Sequence, residues 1–269
     1  IKLIRELNAE HYDLIVNPSG NDRSTILTAI IRAGRKVGRL QRNNNRWLWR
    51  RLHDEVMEHP YNVEPVFIQK WKAWTALSGG HGVPEFRMTL PENPQQRLNI
   101  PANHQGRLLH LSPFGSVDSR SLPTFQIVEL LEALHRRYPG FPVAISCAPT
   151  PRELGRIETI LQALSFTPEH VFKGNLSIPQ LAEVLSRSAL HFGADSGALH
   201  LARALNTPAV AWFLWQERTP EWAPLGEHYR VIGTDSTHSS ALLGIRTQDL
   251  LDAAARLMER TVPALLRAP

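Results

Sequence analysis

The sequence predicts an α/β fold in which helices cover parallel sheets, arranged as two doubly wound domains spanning residues 1–100 and 101–269. Three observations support this. Short apolar runs of strand length alternate with longer segments of helical periodicity. Turns rich in Gly, Ser, Asp and Pro follow the apolar runs, as they do where a strand hands over to a helix. The 269 residues, 42% hydrophobic and 20% charged with seven Trp, suffice for one large or two medium globular cores.

The first half opens with a short helical piece, Leu3 to Glu10, and a buried-strand pattern, Tyr12 to Asn17. Pro18 to Asp22 forms a loop, Ser24 is expected to cap a helix from Thr25 to Ala33, and Val37-Gly38 reads as the next short strand. A further helix runs from Val63 to Leu77 and ends at Gly79-Gly80; His81 beside it reads as an incidental loop histidine. Residues 84–106, with four prolines, read as the linker between domains. Few strands precede it, so we expect the first domain to be incomplete and the numbering to begin inside a longer natural chain.

The second half repeats strand, loop and helix four times. Strands are expected at 107–112, 142–147, 171–172 and 189–193, with helices at 124–137, 152–164 and 178–187, the last capped by Ser177. After a strand from Ala209 to Phe213 come the loop 216–226, a final strand at Tyr229 to Ile232 and the helix Thr247 to Glu259. In such sheets the loops leaving the carboxyl ends of the strands, here 112–123, 147–153 and 194–200, share one edge, where ligands bind.

The most informative stretch is His191 to Pro208. Its apolar run gives way to Asp195-Ser196-Gly197, from which a helix proceeds through Leu199, Ala202 and Leu205 until Asn206 and Pro208 end it. Asp195 or Ser196 caps the helix, and Gly197 allows close backbone approach. Free N–H groups and the positive dipole end make such a turn an anion site. His200 lies little more than one turn into the helix and leans back toward the same point. The spacing alone fits an ordinary capped helix equally well.

Between Arg35 and Arg51 stand seven basic residues (Arg35, Lys36, Arg39, Arg42, Arg46, Arg50 and Arg51), no acidic ones, and Trp47 and Trp49. The run fits a solvated helix face or a patch for phosphates and lipid headgroups with indoles at the interface. The formal charge of +5 and pI near 9.7 favour an anionic partner. One Cys and three Met exclude a disulfide framework and a cysteine-based metal cluster and fit a reducing compartment. No apolar run approaches the roughly 20 residues of a membrane span.

The run from Asp195 to Pro208 resembles the Asp-(Thr/Ser)-Gly-x-x-His-Leu-x-x-Ala-Leu-x-x-Pro signature of glycosyltransferase family 9, the heptosyltransferase type that adds ADP-heptose to lipopolysaccharide core. Tyr12-Asp13-Leu14-Ile15-Val16, followed by Ser19-Gly20 and Arg23-Ser24, is similar to that family's first-domain strand and loop. Arg120-Ser121-Leu122-Pro123 stands where the family has Lys-x-Trp-Pro, and Thr219-Pro220-Glu221-Trp222-Ala223-Pro224 matches its later loop.

The resemblance implies a GT-B fold of two Rossmann-like domains facing a cleft. The nucleotide-sugar donor would sit on the second domain and an anionic glycolipid or glycan acceptor mostly on the first. It assigns the amides of Ser196 and Gly197, with Ser112, to the diphosphate, and Asp195 and His200 to the sugar or its phosphate. Glu153 would meet the donor ribose, and Arg120 would neutralise the leaving diphosphate in place of a lysine. The family's general-base Asp lies in a Gly-Asp loop with no counterpart here, so the catalytic residue is unassigned and expected upstream of Ile1. Asp22 and Asp118 face the right region but read as structural.

No cofactor and no metal are expected. The location implied is the cytoplasm, peripheral on the inner face of the bacterial membrane through the Arg35–Arg51 region. A second reading is a non-catalytic sugar-nucleotide or glycan-binding module. A third, a nucleic-acid binder, rests on charge alone and is not favoured, because no recognisable motif accompanies it.

Overall fold

The computed structural model describes residues 2–19, 21–39, 46–57, 64–82, 84–90, 98–215, 219–235 and 242–261. The chain forms two compact units, Ile1–Pro84 and Glu85–Pro269.

The first unit contains α1 (Lys2–Ala9), β1 (Tyr12–Asn17), α2 (Asp22–Ile30), β2 (Ala33–Arg39), α3 (Arg46–Arg51), β3 (Glu55–Met57) and α4 (Val66–Ser78). Among the described residues its sheet is parallel and three-stranded, in the order β1-β2-β3. Val37, Met57 and Ala73 form a small core with Val16 and Leu77 packed against it. The cap of α2 is Asn21, not Ser24: the Asn21 side chain accepts from the Ser24 N–H at 2.9 Å, starting the helix three residues early. A helix begun there ends at Ile30, which frees Ala33 onward to extend β2. Gly38 is required by proximity, since a Cβ there would fall 2.5 Å from the His53 ring. Gly79 closes α4 in the left-handed conformation (φ 67°), its N–H donating to the Thr75 carbonyl.

The second unit contains β4 (Leu108–Ser112), α5 (Thr124–Arg137), β5 (Val143–Cys147), α6 (Pro151–Ala163), β6 (His170–Lys173), α7 (Ile178–Ser186), β7 (Ser188–Ala194), α8 (Gly197–Ala204), β8 (Ala209–Trp215), α9 (Thr219–Trp222), β9 (Tyr229–Asp235) and α10 (Thr247–Thr261). Among the described residues its six strands are all parallel, in the order β6-β5-β4-β7-β8-β9. The chain winds outward through β4, β5 and β6, returns to pair β7 with β4, and winds the other way through β8 and β9. The reversal between β4 and β7 is where a doubly wound sheet opens a crevice. Every residue of β7 is buried, as expected of a parallel strand covered on both faces. Phe192 and Trp212 are the largest fully buried side chains of the main core, which extends onto α5 and α10. Ser177 caps α7 as expected, completing a capping box with Gln180.

The boundary drawn from sequence at residue 100 moves to Pro84. The Met88 N–H donates to the Ala204 carbonyl (2.7 Å), and the Leu98 N–H to the Glu183 carboxylate (2.8 Å). Ile100 is buried with Leu108, Ala144 and Val184. Proline content marks this segment as irregular, but its backbone donors and apolar side chains find partners on the second unit. Residues 91–97 of the expected linker, and 216–218 of the expected loop before Thr219, lie outside the described residues.

Candidate functional site

A cleft of about 720 Å³ opens at the carboxyl edge of the second unit's sheet, over the reversal between β4 and β7. It brings together all seven residues singled out from the sequence: Ser112, Arg120, Glu153, Asp195, Ser196, Gly197 and His200.

The turn after β7 forms its centre. Ser196 is the N-cap of α8 by backbone conformation (φ −151°, ψ 170°), yet its hydroxyl makes no capping bond. The Ser196 Oγ is instead buried without a hydrogen-bond partner, although it lines the cleft. The α8 N-terminus thus presents free amides and an unspent hydroxyl toward the same space. A Cβ built at Gly197 would meet no atom within 4 Å, so the backbone there faces open room.

Asp195 does not cap the helix. Its carboxylate lies 3.4 Å from Arg120 Nη1 through Oδ2, and 3.9 Å from His200 Nε2 through Oδ1. His200 packs 5.6 Å from Trp222. Burial lowers the His200 pKa and Arg203 lowers it further, against the opposing pull of Asp195. The imidazole is therefore neutral at pH 7, able to donate one hydrogen bond and accept another.

The loop after β4 is folded onto itself and clamped from α6. Gly115 lies so close to Arg120 that a Cβ would sit 2.6 Å from the Arg120 Cβ. Its N–H donates to Ser121 Oγ (3.0 Å), and its carbonyl accepts from Arg152 Nη2 (2.6 Å). Asp118 is held by Arg152 at 3.3 Å and Arg156 at 3.5 Å, which marks it as a loop anchor. Arg120 is thus presented from a braced loop.

On the other side, Thr150 caps α6 and positions Glu153, whose carboxylate accepts from the Ala148 N–H (2.7 Å) and from Arg152 (3.0 Å). Cys147, Pro149, Gly174, Leu176 and Leu181 give this end of the cleft an apolar wall, beside the hydroxyl of Ser146.

Sequence reasoning missed Ser146 and Trp222 as parts of the cleft, and Arg152 as the clamp on its Gly115 loop and on Glu153. Arg152 adjoins Glu153 and a predicted strand-end loop, a signal that could have found it. Ser146 lies inside an apolar strand and carried no signal. Of the basic run in the first unit, Arg35 pairs with Glu55, Lys36 Nζ donates to the Ala29 carbonyl and Arg39 bonds Gln69. Trp47 is 61% exposed, with Arg51 4.9 Å from its ring. Arg42 and the side chains of Arg46 and Trp49 lie outside the described residues. Asp22 opens α2 in the first unit and is exposed. No described helix is long and apolar enough to cross a membrane.

Comparison with known proteins places this geometry. The family model for glycosyltransferase family 9 (heptosyltransferase) matches residues 1–247. A lipopolysaccharide heptosyltransferase 3 of Escherichia coli is 24% identical over 214 residues, 78% of this chain and 62% of the relative, so the chain spans less than two thirds of that protein's length. Among solved structures, the family 9 glycosyl transferase from Veillonella parvula superposes with a TM-score of 0.76 at 16% identity, covering 99% of this chain and 78% of that one. The E. coli heptosyltransferase WaaC with ADP gives 0.72, also at 16% identity, covering 95% and 76%. Both neighbours share the two-domain Rossmann-like fold at low identity. The chain belongs to glycosyltransferase family 9, the heptosyltransferases.

Proposed function

We propose that this chain transfers a sugar, heptose, from ADP-heptose to a lipopolysaccharide-core or related glycan acceptor, with inversion and without a metal ion. The observation that carries the reading is the turn Asp195-Ser196-Gly197 at the β4/β7 reversal, with an unpartnered buried hydroxyl and the Arg120 guanidinium facing one cleft. Support comes from the WaaC structure, which was solved with ADP, and from the relative's name as a lipopolysaccharide heptosyltransferase.

In this scheme the diphosphate rests on the amides of Ser196 and Gly197 and on the hydroxyls of Ser112 and Ser196. Glu153 accepts hydrogen bonds from the ribose, and the base lies against the wall of Pro149, Gly174 and Leu176. Asp195 and His200 bind the sugar beside Trp222. The acceptor oxygen attacks the anomeric carbon from the face opposite the diphosphate. The bond to the leaving phosphate oxygen breaks with its electron pair, and a carboxylate base takes the acceptor's proton. Arg120 meets the charge that grows on the leaving diphosphate; its fork suits two phosphate oxygens. An anionic glycolipid acceptor fits the basic Arg35–Arg51 region, through which the protein would sit at the inner face of the cytoplasmic membrane.

The test is thermal unfolding of the full chain with ADP-heptose, and with UDP-N-acetylglucosamine as a control. At 100 times the dissociation constant, a donor stabilises by about 2.7 kcal/mol, which raises Tm by about 5–10 °C for a unit of this size. Asp195→Ala should remove most of that shift. No shift with any nucleotide-sugar overturns the proposal.

A further inference from the structure

Beneath the cleft lies a polar chain inside an otherwise apolar sheet. His110 on β4 and His191 on β7 are directly paired across the strands and fully buried. Their Nδ1 atoms are 2.9 Å apart, and His110 Nε2 is 2.9 Å from Ser146 Oγ on β5. The fourth ring nitrogen, His191 Nε2, has no partner. Gly193 leaves room for that ring, because a Cβ there would lie 2.6 Å from His191 Nε2.

Proton counting makes this chain directional. Burial holds both rings well below the ordinary histidine pKa, so both are neutral and each carries one N–H. The Nδ1–Nδ1 contact needs one proton, which leaves two arrangements. In the first, His110 donates to His191, Ser146 donates to His110, and His191 Nε2 is a buried N–H with no acceptor. In the second, His191 donates to His110, His110 Nε2–H donates to Ser146, and His191 Nε2 is only a bare lone pair. Orphaned buried N–H groups are the rarer defect, so the second arrangement is favoured. Ser146 Oγ then accepts from below and keeps its own proton to give away.

Placement says where that proton goes. His110 is in register with Ala144, so Ser146 stands two residues beyond that pair toward the carboxyl edge, as Ser112 does beyond His110. Ser146 is 5% exposed and lines the cleft together with Ser112 and Glu153. We infer that Ser146 is a further ligand-binding residue, whose hydroxyl donates to an oxygen of the ribose–phosphate portion of a nucleotide in the cleft. The buried His191–His110 pair acts as its positioning residues. The inference rests on the nucleotide-sugar reading of the cleft.

Titration calorimetry with ADP on the full chain tests it. Ser146→Ala should weaken binding about 3- to 10-fold, the effect of one lost neutral hydrogen bond. His110→Leu should weaken it by a similar factor, and the double variant no further, because both changes break one chain. His110→Gln, which restores a donor toward Ser146, should recover affinity. Nitrogen-15 spectra of the wild-type histidine rings give a ligand-free readout that holds even if His110 variants fail to fold. His191 should carry its proton on Nδ1 and His110 on Nε2. Unchanged ADP affinity in Ser146→Ala, alongside loss in Arg120→Ala, overturns this inference and leaves the donor site standing. A proton on His191 Nε2 also overturns it. Failure of the wild type to bind ADP or any other nucleoside diphosphate removes the donor reading and this inference with it.

Discussion

The buried histidine pair should make folding stability fall between pH 7 and pH 5, where most exposed carboxylates stay ionised. Burial depresses the His191 pKa from 6.5 to about 3 in the folded protein. Between these values the unfolded chain binds a proton that the folded chain refuses, so stability rises with pH across the window and is lost on acidification. For a single site, the two pKa values give a penalty of about 0.2 kcal/mol at pH 7 and about 2.1 kcal/mol at pH 5, a fall of about 1.9 kcal/mol. His110 is shifted in the same direction, by burial first and by His191 second, and adds to the fall. His170 and His200, also lowered, contribute with the same sign. Urea unfolding of wild type and of His191→Leu at pH 7, 6 and 5 isolates the term, because each protein is compared with itself across pH. The wild type should lose about 1.9 kcal/mol more than the variant between pH 7 and pH 5. Equal losses would show that His191 titrates normally when folded, and that the pair is not the neutral, proton-refusing device its burial requires.

Two further outcomes follow from the cleft. Ser196→Ala removes a buried hydroxyl that makes no capping bond, so Tm should change little, while ADP affinity falls about 10- to 100-fold from loss of a hydrogen bond to a charged phosphate; calorimetry and a melt decide, and unchanged affinity refutes the phosphate role. Gly115→Ala forces a Cβ against Arg120 and should displace the loop and weaken ADP binding, whereas Gly155→Ala, with open space in the middle of α6, should stabilise by about 0.5–1 kcal/mol; equal behaviour of the two would refute the braced-loop account.

Arg120 and Asp195 show how charge in the cleft is balanced. The guanidinium already has a carboxylate partner at 3.4 Å, partly open to solvent, where an ion pair is worth little. A diphosphate can therefore draw Arg120 toward itself at small cost while Asp195 turns to the hydroxyls of a sugar.

What the sequence determines here is local. The apolar runs, the helix stops at Gly79 and Pro208, the Ser177 cap and the Asp195-Ser196-Gly197 turn are written within a few residues of each other. Burial on both faces and helix-end chemistry act at that range. The signature from Asp195 to Pro208 is legible for the same reason, and with it the family and four of the seven cleft residues; Ser112, Arg120 and Glu153 come from the other strand-end loops. The three-residue strand Glu55–Met57 was not legible, because only its pairing with β2 makes it a strand. Nor was the Asn21 cap, since Asn21 and Ser24 are both good capping types and only backbone geometry chooses between them.

Tertiary structure decided what spans strands. Parallel pairing brings His110 beside His191, 81 residues away, and Ser146 beside His110, 36 residues away. The same crossover sets Arg120 against Asp195 and folds residues 85–90 and 98–100 onto the second unit. No local pattern encodes these meetings, because parallel strands join only through long crossovers, and which strands become neighbours is settled by the winding of the whole sheet.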